Sequence, residues 1–62
     1  MRSLVLRYRT GDSICVVVNG REYVVYTCEK VIDRFVKMYY KGAGFRALNY
    51  LKRYGEFRRN DM

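Results

Sequence analysis

Histidine is absent from this 62-residue chain, and cysteine occurs only at Cys15 and Cys28. Without histidine, the chain has no side chain whose unperturbed pKa lies near neutrality, which removes the commonest general acid or base. Two cysteines without histidine also leave too few ligands for a zinc site. The carboxylates considered as a catalytic pair lie on separate predicted elements, at Asp12, Glu22, Asp33 and Glu56. The sequence therefore predicts no enzyme, no metal and no cofactor.

Long apolar runs are also missing. No segment approaches the ~20 apolar residues of a membrane-spanning helix. The N-terminal stretch is interrupted by Arg2, Arg7 and Arg9 before the apolar region of a signal peptide can develop. We therefore expect a cytoplasmic protein with no membrane partner and no small-molecule substrate.

Acidic residues are few compared with basic ones. Thirteen Lys and Arg stand against six Asp and Glu, a net charge of +7, and residues 29–62 hold nine of the basic and four of the acidic residues. Such a charge attracts nucleic acid, anionic lipid or acidic proteins. Half of the residues are hydrophobic and 16% are aromatic, which is typical of a folded chain. A chain this short predicts one domain over residues 1–62.

The N-terminal half predicts three strands, near residues 4–9, 14–18 and 21–26. Asn19-Gly20 lies between two β-favouring runs and is typical of a two-residue type I′ hairpin turn. The hairpin pairs Val18 with Arg21, Val16 with Tyr23 and Cys15 with Val24. Cys28 then lies roughly 13 Å from Cys15, too far for a disulfide. Two reduced, buried cysteines are expected, as in a reducing compartment.

The apolar period changes to that of a helix at Glu29. Thr27 is a candidate N-cap, and Gly42 comes just after the predicted end of the helix. A second amphipathic helix is predicted near residues 45–55. The fold class predicted is α+β: a three-stranded antiparallel β-meander followed by two α-helices packed on one sheet face.

A tight turn at Gly11-Asp12 would pair Tyr8 with Cys15 and Leu6 with Val17. The face predicted to lie under the helices then holds Leu4, Leu6, Tyr8, Cys15, Val17, Val24 and Tyr26. The opposite face holds Val5, Arg7, Arg9, Ile14, Val16, Val18, Arg21, Tyr23 and Val25. This second face could stack bases and hold phosphates, or Val16, Val18 and Val25 could form the centre of a dimer interface. A slip of one residue at the first turn would exchange the faces of strand one.

The segment Lys41-Gly42-Ala43-Gly44 connects the two predicted helices. Its glycines and the following helix N-terminus, together with Lys41 and Arg46, could bind a phosphate. The spacing is not that of a Walker A motif. The alternative is a connection in which Gly42 takes the left-handed C-cap conformation and Gly44 permits a tight turn.

The second helix and the residues after it predict a basic strip. Candidate nucleic-acid contacts on this side are Lys41, Arg46, Lys52, Arg53, Arg58 and Arg59. A second candidate surface comprises Arg7, Arg9, Arg21 and Tyr23. The function predicted is binding of nucleic acid, RNA or single strands in preference to a duplex, through phosphate contacts and aromatic stacking. The alternative is a homodimeric protein-interaction module that recognises an acidic partner surface.

The chain also resembles the KTSC domain, a small module found alone in bacteria and at the C-terminus of some lysyl-tRNA synthetases. The resemblance rests on Gly20, Tyr23, Phe35, Lys41-Gly42, Phe45 and the stretch Tyr50 to Tyr54. Two features depart from the family pattern. Tyr23 and Tyr26 are one residue further apart than the family's Tyr-x-Tyr, and the Val-Pro before the helix is missing because the chain has no proline. The resemblance implies a single small domain, for which RNA binding has been proposed.

Overall fold

A computed structural model describes residues 3–60 of the chain. The elements along the chain are β1 (Leu4–Arg9), β2 (Ser13–Val18), β3 (Arg21–Tyr26), α1 (Glu29–Tyr40), α2 (Gly44–Tyr54) and β4 (Glu56–Arg59). The predicted α+β class, the three strands and the two helices are confirmed. The fourth strand is an addition that the sequence did not predict.

The four strands form one antiparallel sheet in the order β1-β2-β3-β4. At the turn between β2 and β3, Asn19 and Gly20 have φ values of 51° and 84°, as a type I′ turn requires. Val18 pairs with Arg21 and Val16 with Tyr23, as the hairpin predicted. The turn chemistry alone therefore gave the correct register of this hairpin.

The register between β1 and β2 differs from the prediction. Tyr8 pairs with Cys15 as expected, but Leu6 pairs with Val16, because a bulge lies between Leu6 and Tyr8. A bulge adds one residue to one strand and changes which side chains share a face. The prediction placed Leu6 on the same face as Cys15, whereas the bulge puts it on the face of Val16.

The helices consequently cover the opposite face of β2 and β3 from the one predicted. The buried core consists of Ile14, Val16, Val25, Ile32, Phe35, Ala47 and Leu51, with Leu4, Leu6, Val18 and Tyr23 packed against it. Val16 and Val25, which the dimer hypothesis placed at an interface, are fully buried. The other face, which we call the open sheet face, is not covered by either helix. Its members include Val5, Tyr8, Glu22, Val24 and Tyr26.

Strand β4 changes the interpretation of the C-terminal basic residues. Helix α2 ends at Tyr54, and Gly55 adopts an extended conformation with φ −124° and ψ 159°. The chain then pairs with β3, so that Phe57 lies opposite Val25. The predicted continuous strip from Arg46 to Arg59 is therefore wrong, because Arg58 and Arg59 are strand residues whose side chains alternate between the two sheet faces.

The ends of α1 correct one prediction and confirm another. Thr27 is not the N-cap; Cys28 takes that position without a side-chain hydrogen bond, and the Thr27 hydroxyl donates to the Tyr54 carbonyl at 2.9 Å. At the other end Gly42 is left-handed, with φ 89°. Its N–H donates to the Tyr39 carbonyl and the next N–H donates to the Met38 carbonyl, the two bonds of a Schellman motif.

Both cysteines are free, as predicted. Cys15 is fully buried, but Cys28 is exposed, so the expectation that both are buried is wrong for Cys28. The difference arises because Cys28 lies after β3, at the start of α1, outside the packed sheet.

Candidate functional site

The solvent-exposed side of the helix pair carries a concentrated positive charge. Residues 29–54 contain seven Lys and Arg and two Asp and Glu, a net of +5 out of the total of +7. Along α1 and its C-cap residue, four cations follow one another at i, i+4, i+7 and i+11: Lys30, Arg34, Lys37 and Lys41. At 1.5 Å per residue this stripe is about 16 Å long. All four residues are exposed.

Helix α2 extends the stripe sideways. Arg46 and Arg53 are exposed on α2, and the Arg34 guanidinium of α1 lies 5.7 Å from the centre of the Tyr50 ring of α2. We call the surface formed by these cations the cationic helix face: Lys30, Arg34, Lys37, Lys41, Arg46 and Arg53. None of these six side chains has a carboxylate partner among residues 3–60. Their charge is therefore available to an anionic ligand.

One acidic residue of α1 is already neutralised. Asp33 forms an ion pair with Arg9, with 2.6 Å between Asp33 Oδ1 and Arg9 Nη2. This pair joins β1 to α1. The remaining helix carboxylate, Glu29, lies in the first turn of α1, where a negative charge stabilises the helix dipole. Asp33 shares a surface depression with the four cations of the stripe, but its charge is paired with that of Arg9.

The connection between the helices combines cations with exposed aromatic rings. Tyr40 is 74% exposed and Phe45 is 37% exposed. A shallow depression of about 450 Å³ is lined by residues 41–46, which include Lys41 and Arg46. Helix α2 begins here at Gly44, with no side-chain cap and no acidic residue in its first turn. Cations, a positive helix end and flat rings thus meet at one end of the cationic helix face.

The glycines of this connection have different roles. Gly42 needs its left-handed conformation, as the C-cap interpretation predicted. Gly44 is the first residue of α2, and a Cβ there would meet Leu4 Cδ2 at an ordinary 3.6 Å. The expected need for glycine at position 44 in a tight turn is therefore not seen.

The predicted basic strip is divided among three places. Lys41, Arg46 and Arg53 belong to the cationic helix face, while Lys52 lies on the flank of α2, against the sheet. Arg58 is on the open sheet face, 3.5 Å from the Glu56 carboxylate and 5.5 Å from the Tyr26 ring centre.

The second predicted surface is not a single surface. Arg7 lies on the open sheet face and pairs with Glu22, whereas Arg9 lies on the helix side with Asp33. Arg21 is exposed at the turn end of β3. Tyr23 was expected on an open face but packs on the helix side, its ring 5.9 Å from that of Phe57. Arg59 pairs with Tyr23 across β3 and β4, so it shares this helix-side face.

The open sheet face has a polar cluster of its own. Glu22 accepts hydrogen bonds from the Arg7 guanidinium and from the Asn60 amide. The bond from Arg7, followed by that from Asn60, lowers the pKa of the Glu22 carboxyl. Beside this cluster, burial raises the pKa of the Cys15 thiol. These charges balance one another locally, unlike those of the cationic helix face.

Three members of the cationic helix face were not among the predicted contacts: Lys30, Arg34 and Lys37. They lie on the polar side of the helix that the sequence predicts from Glu29. Their spacing with Lys41 is a signal that could have identified them, because i, i+4, i+7 and i+11 fall on one stripe of a helix.

Residues 3–60 contain neither a cluster of metal ligands nor a helix that could span a membrane. Within that range, no three His, Cys, Asp or Glu side chains come together as a potential metal site. Neither helix in the same range is long and apolar enough to cross a membrane.

No protein-family model matches the chain, and no curated protein or solved structure is significantly similar to it. The resemblance to the KTSC domain therefore stays a prediction.

Proposed function

We propose that this protein is a non-catalytic module that binds the phosphate backbone of RNA or single-stranded nucleic acid through its cationic helix face. The observation that carries the proposal is the set of six exposed cations with no carboxylate partner among residues 3–60. Phosphate contacts by Lys and Arg supply most of the affinity of non-specific nucleic-acid binding. The KTSC resemblance, with its proposed RNA binding, agrees with this function.

The exposed rings next to these cations support a preference for unpaired strands. Tyr40 and Phe45 lie at the helix connection beside Lys41 and Arg46. Bases of a single strand can stack on such rings, and each stacked base contributes about 1–3 kcal/mol. A duplex keeps its bases stacked inside and gains only the phosphate contacts. Such a protein would act in the cytoplasm, where a reducing environment keeps both thiols free.

The test is a titration of a fluorescent 12-nucleotide RNA strand at several salt concentrations. The variant Lys37→Gln/Arg46→Gln removes two charges from the cationic helix face. The matched control Arg7→Gln/Arg58→Gln removes two charges from the open sheet face. For single strands the salt slope changes by about 0.7 per phosphate contact, so the first variant should lose about 1.4 from the slope. The control should keep the slope of the parent protein.

Two results would contradict the proposal. Absence of binding by the parent protein at 50 mM salt would exclude the function. A loss in the control equal to that in the helix variant would show that net charge, and not this face, determines affinity. A 12-base-pair duplex measured in parallel should bind more weakly than the single strand.

A second candidate function, the homodimeric module, is favoured by the open sheet face. Val5 and Tyr8 are each 49% exposed there, and Tyr26 is 46% exposed. The ion pairs on this face balance in sign, so two copies could meet without the repulsion expected between two cationic helix faces. In such a dimer both helix layers would face outward, toward an acidic partner.

A further inference from the structure

We infer that a cleft between α2 and the sheet binds one unpaired nucleobase; this inference rests on the proposed nucleic-acid function and names a subsite for it. The cleft has a volume of about 470 Å³ and is lined by Val18, Tyr23, Lys52, Gly55 and Phe57. Small-molecule sites usually occupy about 300–1,000 Å³. The cleft is therefore large enough for a base together with part of its sugar.

Aromatic side chains form much of the cleft. Tyr23 and Phe57 lie on neighbouring strands with their rings edge to face, 5.9 Å apart. Both are only partly buried, as is Val18 at the end of β2. Flat aromatic and aliphatic surfaces of this kind suit the planar, apolar faces of a base.

Positive charge also borders the cleft. Lys52 of α2 lines it directly. A neutral apolar ligand would gain nothing from this ammonium group, whereas a nucleotide presents a base to the rings and a phosphate to Lys52. This charge complementarity selects a nucleotide unit over a neutral lipid or hydrocarbon.

The cleft depends on glycine at position 55. A Cβ there would lie 2.5 Å from Val25 Cγ1 and 3.0 Å from the Leu51 carbonyl oxygen. The connection between α2 and β4 therefore leaves no room for a side chain at position 55. Because this connection is short, Lys52 of α2 and Phe57 of β4 both line the cleft.

The first test compares two small probes by ¹H–¹⁵N NMR of the full chain: adenosine monophosphate and ribose 5-phosphate. Both carry a phosphate and a sugar, and only the first carries a base. We expect the amides of Val18, Gly55 and Phe57 to shift with adenosine monophosphate and not with ribose 5-phosphate. Equal shifts with the two probes, or shifts confined to the cationic helix face, would overturn the inference.

The second test uses RNA and an abasic strand of the same length. A single stacked base changes affinity by about 5- to 150-fold, so the abasic strand should bind at least about fivefold more weakly. Tyr40 and Phe45 can also stack bases, so the variant Val18→Phe, which fills the cleft, should remove only the part of that difference that the cleft contributes. The control Val5→Phe, on the open sheet face, should retain the whole difference. Lys52→Gln, a milder change, should weaken binding of adenosine monophosphate if Val18→Phe fails to fold.

The outcomes separate the two proposals. If neither strand binds at low salt, the nucleic-acid function itself fails. If both strands bind equally and with the same salt slope, phosphate binding stands, and base stacking is refuted both in the cleft and at Tyr40 and Phe45. If Val18→Phe leaves the difference between the strands unchanged, the bases stack elsewhere and the cleft alone is refuted.

Discussion

Replacing Gly55 with alanine is a sharp test of how α2 is joined to the sheet. The added Cβ would lie 2.5 Å from Val25 Cγ1, and Val25 is a fully buried, β-branched residue with little freedom to move. It would also lie 3.0 Å from the Leu51 carbonyl oxygen, which accepts a hydrogen bond from the Gly55 N–H at 2.8 Å. The backbone at Gly55 is extended, so any residue could adopt it. The effect is therefore steric and not conformational.

The expected magnitude follows from these contacts. Overpacking a well-filled core costs about 1–3 kcal/mol. Gly11 offers the matched control, because no atom lies within 4 Å of its added Cβ and its φ is not left-handed. There, alanine should stabilise the protein by about 0.4–1 kcal/mol by restricting the unfolded chain. The two variants should thus differ by at least about 1.5 kcal/mol, or about 6–12 °C in Tm for a domain of this size.

Urea unfolding followed by circular dichroism measures this difference directly. Gly55→Ala should lower the midpoint without a large change in m, and Gly11→Ala should leave it equal or raise it. Equal midpoints for the two variants would refute the packing described at the junction of α2 and β4. A lower midpoint for Gly11→Ala alone would contradict the open space around Gly11 in the β1–β2 turn.

Two further predictions concern the open sheet face. Because the folded protein lowers the pKa of Glu22, its carboxylate contributes stability above the unfolded pKa of about 4.3 and loses it as pH falls through the lower folded pKa. Urea midpoints of the parent protein and Glu22→Gln should differ at pH 7, and the difference should shrink as the pH falls below about 4; a constant difference would refute the role of Arg7 and Asn60. If two copies pair through this face, sedimentation equilibrium should give a mass above 7.5 kDa that Val5→Lys reduces and the control Tyr40→Lys does not. A monomer at all concentrations would exclude the dimer.

Local sequence signals predicted most of the elements. Asn19-Gly20 gave the hairpin and its register, because both turn positions require positive φ. The helical period gave α1 and α2 within a residue of their observed bounds. Gly42 gave the end of α1, because glycine adopts the left-handed C-cap at little cost. Each of these signals lies within a few neighbouring residues.

Two features of the fold had no local signal. The bulge between Leu6 and Tyr8 is visible only when β1 is paired with β2. It places Leu6 on the same sheet face as Val16, whereas regular pairing would place it on the face of Cys15. Strand β4 has only four residues, Glu56–Arg59. Its sequence resembles a continuation of the basic helix, and only its pairing with β3 shows that it is a strand. Both errors led to misplaced candidate residues, most clearly Tyr23 and Arg9.

The sequence by itself determined the charge, the first three strands, the two helices and the amphipathic stripe of α1, because these depend on residue type and on spacing along one element. Only the tertiary structure decided which sheet face the helices cover and which cations share a surface. Those choices depend on pairing between distant segments, and one extra residue in β1 was enough to change them. The cleft beside Lys52 likewise exists only because α2, β3 and β4 meet at Gly55.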